Sequence, residues 1–419
     1  MRFTQLVTKT AKQTAESDVS RNAQLLTRAG YVNRLMAGVY SYLPLGLRVL
    51  TKIENIIRDE MNKLGGQEIL MPALHPKEIW DTTGRWDMDI LFHLKGAGDR
   101  DFALGPTHEE TVTPLIGSFV KSYRDLPTAV YQIQTKFRNE ARAKSGLLRG
   151  REFRMKDLYS FHTSQADLDA FYERAVQAYK NIFARCGLGE TTVMTYASGG
   201  AFSKFSHEFQ TITPYGEDLI YRIPGKDIAI NKEILGEEEV LKELVPGHKA
   251  GEKPQLEELK SIEVGNIFKL GTRFTDAFGV KFTDETGKPQ PVLMGCYGIG
   301  PSRVMGTIAE VLSDEAGLIW PSEVAPYQVH LITLARDEAE RTASDELYAK
   351  MTAAGIEVLY DDRLGARAGE KLNDADLIGL PVRVLLSHKT LEKQSAEVKK
   401  RTAKEAELIP LNKLLENLK

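Results

Sequence analysis

Lys136-Phe-Arg-Asn-Glu-Ala-Arg-Ala-Lys-Ser-Gly-Leu-Leu-Arg-Gly-Arg-Glu-Phe-Arg-Met-Lys156 carries eight basic and two acidic residues, in a chain of 419 residues whose formal net charge is −3. A local excess of +6 in a near-neutral protein marks a place for polyanion, either a triphosphate or an RNA backbone. Arg138 and Glu140 stand two apart, as do Glu152 and Arg154, so on strands each pair shares a face. Apolar positions at Tyr131, Ile133 and Phe137 before the Ser-Gly turn, and at Phe153, Met155 and Leu158 after it, predict a β-hairpin with basic tips. A surface hairpin merely coated with lysine and arginine meets the charge equally well. The order of distinct groups favours a binding site: an Arg, a Glu two later, a flexible basic loop, then Arg-x-Arg-Glu-Phe.

That order resembles motif 2 of the class II aminoacyl-tRNA synthetases, here Phe137-Arg138-Asn139-Glu140 and Arg149-Gly150-Arg151-Glu152-Phe153. A planar guanidinium grips phosphate and carboxylate oxygens with a paired fork and stays charged at any working pH. The resemblance implies an adenylation, in which Arg138 supports attack of an amino-acid carboxylate on the α-phosphate of ATP. It also implies that Glu140 accepts from the adenine amino group, that Phe153 stacks on the ring, and that Arg149 belongs to the ATP site. Mg²⁺ would travel with the triphosphate, with no metal ligands of the protein's own. Downstream, Gly295-Cys-Tyr-Gly-Ile-Gly-Pro-Ser-Arg303-Val-Met-Gly306 runs from an apolar strand into a helix and resembles motif 3, whose Arg lies against the γ-phosphate and adenine. Upstream, Leu47, Leu50, Ile53, Ile57, Met61 and Leu64 recur at helical spacing, and Gly65-Gly66, a strand from 67 to 71 and Pro72 follow. This resembles motif 1, which implies a homodimer. A glycine turn or an amphipathic helix taken singly is an ordinary core feature; the three in order cover most of residues 30 to 320.

Gly105-Pro-Thr107-His-Glu109-Glu110 resembles the Thr-x-Glu loop of prolyl-tRNA synthetases. A carboxylate beside a hydroxyl suits a cationic secondary amine with two N–H donors, so Thr107, Glu109 and Arg138 become candidates for binding L-proline. A helix start with Thr as its cap and Glu in the first turn has the same appearance. Leu147-Leu-Arg-Gly-Arg-Glu-Phe, Lys156-Asp-Leu-Tyr-Ser-Phe-His162, Ser206-His-Glu-Phe209 and Ile262-Glu-Val-Gly-Asn-Ile-Phe-Lys-Leu-Gly271 look like the bacterial-type prolyl family. His207, with Phe205 and Phe209, is a candidate wall of the proline pocket, or simply a structural histidine.

The fold implied is an α+β catalytic domain on an antiparallel sheet over residues 1–324, then an α/β anticodon-binding domain over 325–419. In the latter, expected strands at 329–334, 356–360 and 382–386 alternate with helices at 338–353 and 369–378. Asp362, Arg363, Arg367, Glu370 and Lys371 are candidates for reading RNA bases, although charged residues in a turn are commonly only solvated. Arg142 and Lys144 at the hairpin tip would meet the acceptor end of tRNA(Pro). Residues 223 to 262 read as a polar, poorly patterned linker, where many bacterial prolyl enzymes carry an editing domain. So short a tract implies no cis editing of misacylated alanine, which binding alone rejects only by a factor on the order of 10 to 200 per methylene.

Two cysteines, Cys186 and Cys296, cannot build a disulfide framework. No run approaches the roughly 20 apolar residues of a membrane span, and Glu16 and Asp18 argue against a presequence, so a cytoplasmic protein is expected. Threonyl, glycyl, histidyl and seryl synthetases share the core, but no clustered zinc ligands and no room for a long amino-terminal arm are evident. A non-catalytic RNA-binding relative should have lost Arg138, Glu140, Arg149 or Arg303, and an adenylating ligase without tRNA should lack the carboxyl-terminal module.

Overall fold

Strand Thr128–Phe137 pairs antiparallel with strand Glu152–His162, Val130 opposite Tyr159 and Lys136 opposite Phe153. The computed structural model describes residues 1–13, 20–143, 145–200, 202 and 204–418; Lys144 lies outside them. The hairpin is present, but its tip differs from the sequence expectation. Arg138, Glu140 and Arg149 follow or precede the strands rather than lying on them. The connecting segment is anchored, since its 3₁₀ turn Gly146–Leu148 buries Leu147 and Leu148. Those two leucines, not the basic residues around them, set the path of the loop.

The hairpin lies near one edge of a nine-stranded sheet. Its order is Phe205–Ile212, Thr192–Ser198, Ile228–Asn231, Asp218–Arg222, Glu257–Gly271, Leu293–Ile299, Glu152–His162, Thr128–Phe137 and Gln67–Glu68. Neighbours are antiparallel except at Ile228–Asn231 with Thr192–Ser198 and at Gln67–Glu68 with Thr128–Phe137. Phe205–Ile212 also pairs with Glu257–Gly271, so the first five strands close on themselves. Leu293–Ile299 leads into helix Pro301–Val311, the strand-to-helix turn expected for Arg303. Helix Pro44–Lys63 forms as its apolar period requires; Ile53, Ile57 and Met61 are fully buried, whereas Leu47 is 53 % exposed.

The tract from 223 to 262 is more than a linker. Strand Ile228–Asn231 sits inside the sheet, and helix Glu238–Leu244 adds Val240, Leu241 and Leu244 to an apolar cluster with Ile223, Ile230 and Ile234. Its pattern was hidden because the helix is two turns long and opens on acidic residues that favour its positive end.

By its contacts the chain forms two compact units, one of Ala37–Val39 and Ile53–Thr307, the other of Met1–Met36, Tyr40–Lys52 and Ile308–Lys419. The second holds a five-stranded sheet ordered Val358–Asp361, Val329–Leu334, Val382–Ser387, Ser395–Lys400 and Glu407–Pro410. Its first three strands are parallel and the last two antiparallel. Helices Glu338–Ala353 and Ala368–Ile378 make the crossovers.

Two of the eight basic residues in the hairpin stretch are interior. Lys136 and Lys156 are both fully buried, because the stretch runs into strands covered on both faces. Lys156 donates to the Tyr179 hydroxyl at 2.7 Å and lies over that ring, and burial pushes its pKa down to about 7. An unfolded lysine titrates near 10.4, so the unfolded chain binds more protons between those values. The cost to stability is therefore complete below pH ~7 and disappears as pH rises toward ~10.4. In guanidinium unfolding, the stability of Lys156→Met relative to wild type should be greatest near pH ~6 and decline from pH ~7 to ~10; a difference that does not vary with pH would contradict this.

Candidate active site

Glu109 opens helix Glu109–Gly117 and is wholly buried, a position the positive end of the helix favours for a carboxylate. The Thr107 hydroxyl donates to its Oε2 at 2.6 Å, and the Cys296 thiol reaches its Oε1 at 3.3 Å from strand Leu293–Ile299. Thr107 is therefore no helix cap; the cap position belongs to His108, whose side chain makes no capping bond. Burial, with the neighbouring carboxylate of Glu109 adding to it, pushes Cys296 well above the ordinary thiol range, so it serves as a neutral donor.

Beneath this group lies a second buried set. Lys136 Nζ is 2.9 Å from Asp157 Oδ1 and 2.7 Å from His108 Nδ1. Asp157 also accepts from Gln132 at 3.0 Å and from the Tyr159 hydroxyl at 3.0 Å. Burial raises the Asp157 pKa, but Lys136 outweighs it and holds the carboxyl below its usual range. Burial and the Lys136 charge together push His108 down to about 3, so its imidazole is neutral and accepts from the ammonium.

Thr107, Glu109, Cys296, Lys136, Asp157 and the hairpin connection line one cavity of about 190 Å³. Its charged lining consists of Lys136, Arg138, Arg149 and Arg303 against Glu109, Glu140, Asp157 and Glu263. Lys136 pairs with Asp157, Arg149 with Glu140 at 3.0 Å, and Arg303 with Glu263 at 2.8 Å. That leaves Arg138 and Glu109. Arg138 forms no ion pair among the described residues, its buried Nε lacks a partner, and its guanidinium lies 5.2 Å from the Phe153 ring centroid. Burial and the nearby Arg303 charge lower its pKa. A cation without an ion pair and an anion whose counter-charge, Arg85 at 3.6 Å, lies outside the lining suit a ligand bearing both a cationic amine and anionic oxygens.

The structure brings Thr107, Glu109, Arg138, Glu140, Arg149, Phe153 and Arg303 together at this cavity. It places His207 elsewhere. The imidazole packs against Tyr196 and shares a 2.6 Å hydrogen bond with the Tyr172 hydroxyl, opposite Ile267 on the strand face away from the lining. Phe209 is buried against Tyr179 and Phe183, and Phe205 packs on the cluster of the 223 to 262 tract. The aromatic wall is instead Phe202 and Phe268, with ring centroids 4.9 Å apart. Phe268 lies in the run from Ile262 to Gly271 beside Lys269, and its apolar side chain gave no signal of a site; Asp157 and Glu263 likewise carried no assigned role. Arg142 is exposed.

In the other unit, two candidate base readers are engaged internally. Lys371 is 2 % exposed and donates to the Thr333 carbonyl at 2.7 Å, while Arg363 holds Asp361 at 2.7 Å and Asp374 at 2.8 Å. Asp362 accepts from the Thr4 backbone and hydroxyl. Arg367 and Glu370 are exposed.

A model of the tRNA synthetase class II core domain (G, H, P, S and T) matches residues 92–312, and one of an anticodon binding domain matches residues 328–419. The proline–tRNA ligase of Geobacillus sp. (strain WCH70) is 35 % identical over 566 residues, covering 100 % of this chain and 99 % of the relative. The chain belongs to the bacterial-type proline–tRNA ligase family. The ligase of Dehalococcoides mccartyi (strain CBDB1) is also 35 % identical, over 561 residues, covering 100 % of this chain and 98 % of the relative. Both alignments are longer than the 419 residues here, so the family relatives carry a block that this chain lacks. The fold agrees with prolyl-tRNA synthetase of Cryptosporidium parvum, complexed with halofuginone and AMPPNP. There the TM-score is 0.78 at 20 % identity, covering 97 % of this chain and 78 % of that one. The Giardia lamblia enzyme in complex with prolyl-adenylate gives 0.76 at 19 %, covering 93 % and 74 %.

The buried Lys136–Asp157 pair should be strongly stabilising relative to its broken form. Asp157→Asn leaves the Lys136 charge beside a neutral imidazole and should cost on the order of 3–5 kcal/mol in urea unfolding; a loss under ~1 kcal/mol would show that the pair is not tightly coupled.

Proposed function

We propose that this chain activates L-proline with ATP to give prolyl-adenylate and pyrophosphate, and then transfers the prolyl group to the 3′ end of tRNA(Pro). The observation that carries the reading is the presence in one cavity of Arg138, without an ion pair among the described residues, and Glu109, without a cationic partner in the lining. Glu109, with its Thr107 neighbour, receives the secondary ammonium. Arg138 draws in the carboxylate and α-phosphate, so that a carboxylate oxygen attacks phosphorus as the bond to the β-phosphate breaks. Phe153, beside the Arg138 guanidinium, offers a face on which adenine stacks, with Glu140 and Arg149 at its rim and Arg303 toward the outer phosphates.

Among the described residues no three His, Cys, Asp or Glu side chains converge in a way that would hold a metal ion. The Mg²⁺ we propose travels on the triphosphate oxygens, where it neutralises charge. No side chain is assigned as general base, since an adenylate is reactive enough for positioning to suffice. Arg142, exposed beside the cavity's connecting segment, and Lys144 are assigned to the acceptor end of the tRNA. Residues 325–419 are assigned to the anticodon, with Arg367 and Glu370 as the accessible candidates. A homodimer formed through the Pro44–Lys63 region and a cytoplasmic location complete the proposal; no helix among the described residues is long and apolar enough to cross a membrane.

Cis editing is proposed to be absent, because the tract between Ile223 and Ile262 is filled by one strand, a 3₁₀ turn and a two-turn helix packed on each other. Purified protein given alanine should therefore accumulate alanyl-tRNA(Pro), whereas rapid deacylation of that product would refute the absence. Pyrophosphate exchange across the twenty amino acids should proceed with proline, and Arg138→Ala should depress it by ~10²-fold or more with the fold intact. Exchange with another amino acid only, or near-normal exchange in the variant, would overturn the assignment.

A further inference from the structure

Arg85 Nη1 stands 2.8 Å from Glu110 Oε1 and 3.6 Å from Glu109 Oε2. One guanidinium is thus shared, unequally, between two adjacent carboxylates in the first turn of helix Glu109–Gly117. All three residues are buried, Arg85 at 4 % and both glutamates at 0 % exposure. The Thr83 hydroxyl also donates to Glu110 Oε1, at 2.9 Å. Arg85 sits among the rings of Phe202, Phe274 and Trp80, 4.7, 5.4 and 5.7 Å from their centroids, and its Nε donates to Met88 Sδ at 3.3 Å. Arg85 Nη2 and Glu110 Oε2 are both buried without a partner, so the contact leaves hydrogen-bonding capacity unused on each side. Neither residue lines the cavity.

We propose that Glu110 is a positioning residue that holds Arg85 off Glu109, so that the Glu109 charge stays free for the cationic amine of the amino acid. The inference rests on the proposed role of Glu109 as ammonium receptor. Were Glu110 neutral, the nearest remaining anion for Arg85 would be Glu109, and the guanidinium would compete with the substrate for the same carboxylate. Glu110 itself is close to that condition: burial, partly relieved by Arg85 and reinforced by the Glu109 charge, pushes its pKa up to about 7. The arrangement thus sets amino-acid affinity through a side chain that never touches the amino acid.

The test is proline-dependent pyrophosphate exchange on the full chain, begun with wild type; no exchange there would fail the functional reading itself, separately from this one. With exchange established, Glu110→Gln should raise the KM for proline about tenfold, equivalent to about 1.4 kcal/mol, with kcat within about twofold and the KM for ATP unmoved. The double variant Arg85→Met/Glu110→Gln removes the competing cation and should restore the proline KM to within about threefold of wild type. A purely structural role predicts the opposite, a double variant at least as impaired as the single one. If the methionine version does not fold, as read by its thermal transition, Arg85→Gln/Glu110→Gln keeps a hydrogen-bonding side chain in the same gap and carries the same expectation. An unchanged proline KM in Glu110→Gln, a loss confined to kcat, or failure of the folded double variant to recover would each overturn the proposal.

Discussion

Charge balance inside one buried cavity is the constraint on which the rest of the catalytic unit depends. Ionised groups removed from water must be paired or they destabilise the fold. Three cations of this lining meet three anions within it, and Arg138 and Glu109 are left over. The hairpin register supplies half of that geometry: Lys136 and Asp157 project from facing strands, and Arg138 follows directly where the first strand stops. The helix beginning at Glu109 supplies the other half, by presenting a carboxylate at its positive end. On the proposed reading, the cationic amine of the amino acid meets Glu109 and the anionic oxygens of amino acid and nucleotide meet Arg138.

Much of this was legible in the chain. The order Arg138, Glu140, Arg149, Phe153 and the separate runs at Thr107 and Arg303 are local patterns of chemically distinct residues, and such patterns survive in one dimension. The helix 338–353 and the alternation after it were readable because long elements show their period. Side-chain direction was less accessible. Lys136 and Lys156 count toward the charge of the stretch exactly as the arginines do, yet their strands are covered on both faces and the two ammonium groups point inward. His207 and Phe202 show the same limit from opposite sides: a motif drew attention to the first, packing assigned the cavity wall to the second. Lys371 was a surface candidate until its helix placed it against the Thr333 carbonyl.

The tract between Ile223 and Ile262 shows how a short element escapes pattern reading. Its helix spans seven residues and its strand four, too few for a period to stand above noise. Together they bury a small apolar cluster and complete the five-stranded closure of the sheet. Asn231, at the end of that strand, donates to Glu208 at 3.0 Å, so the tract braces the sheet beside the cavity instead of hanging from it.

The central claim is that Glu109, met by Arg85 only at 3.6 Å, keeps negative charge for the substrate's amine. Calorimetric titration with L-proline and with N-acetyl-L-proline, which keeps the carboxylate and ring but lacks the cationic nitrogen, tests it directly. The account predicts that proline binds at least tenfold more tightly than its acetylated form, or about 1.4 kcal/mol, and that Glu109→Gln removes most of that difference. Equal affinity for the two compounds, or a preference that persists in the variant, would contradict it.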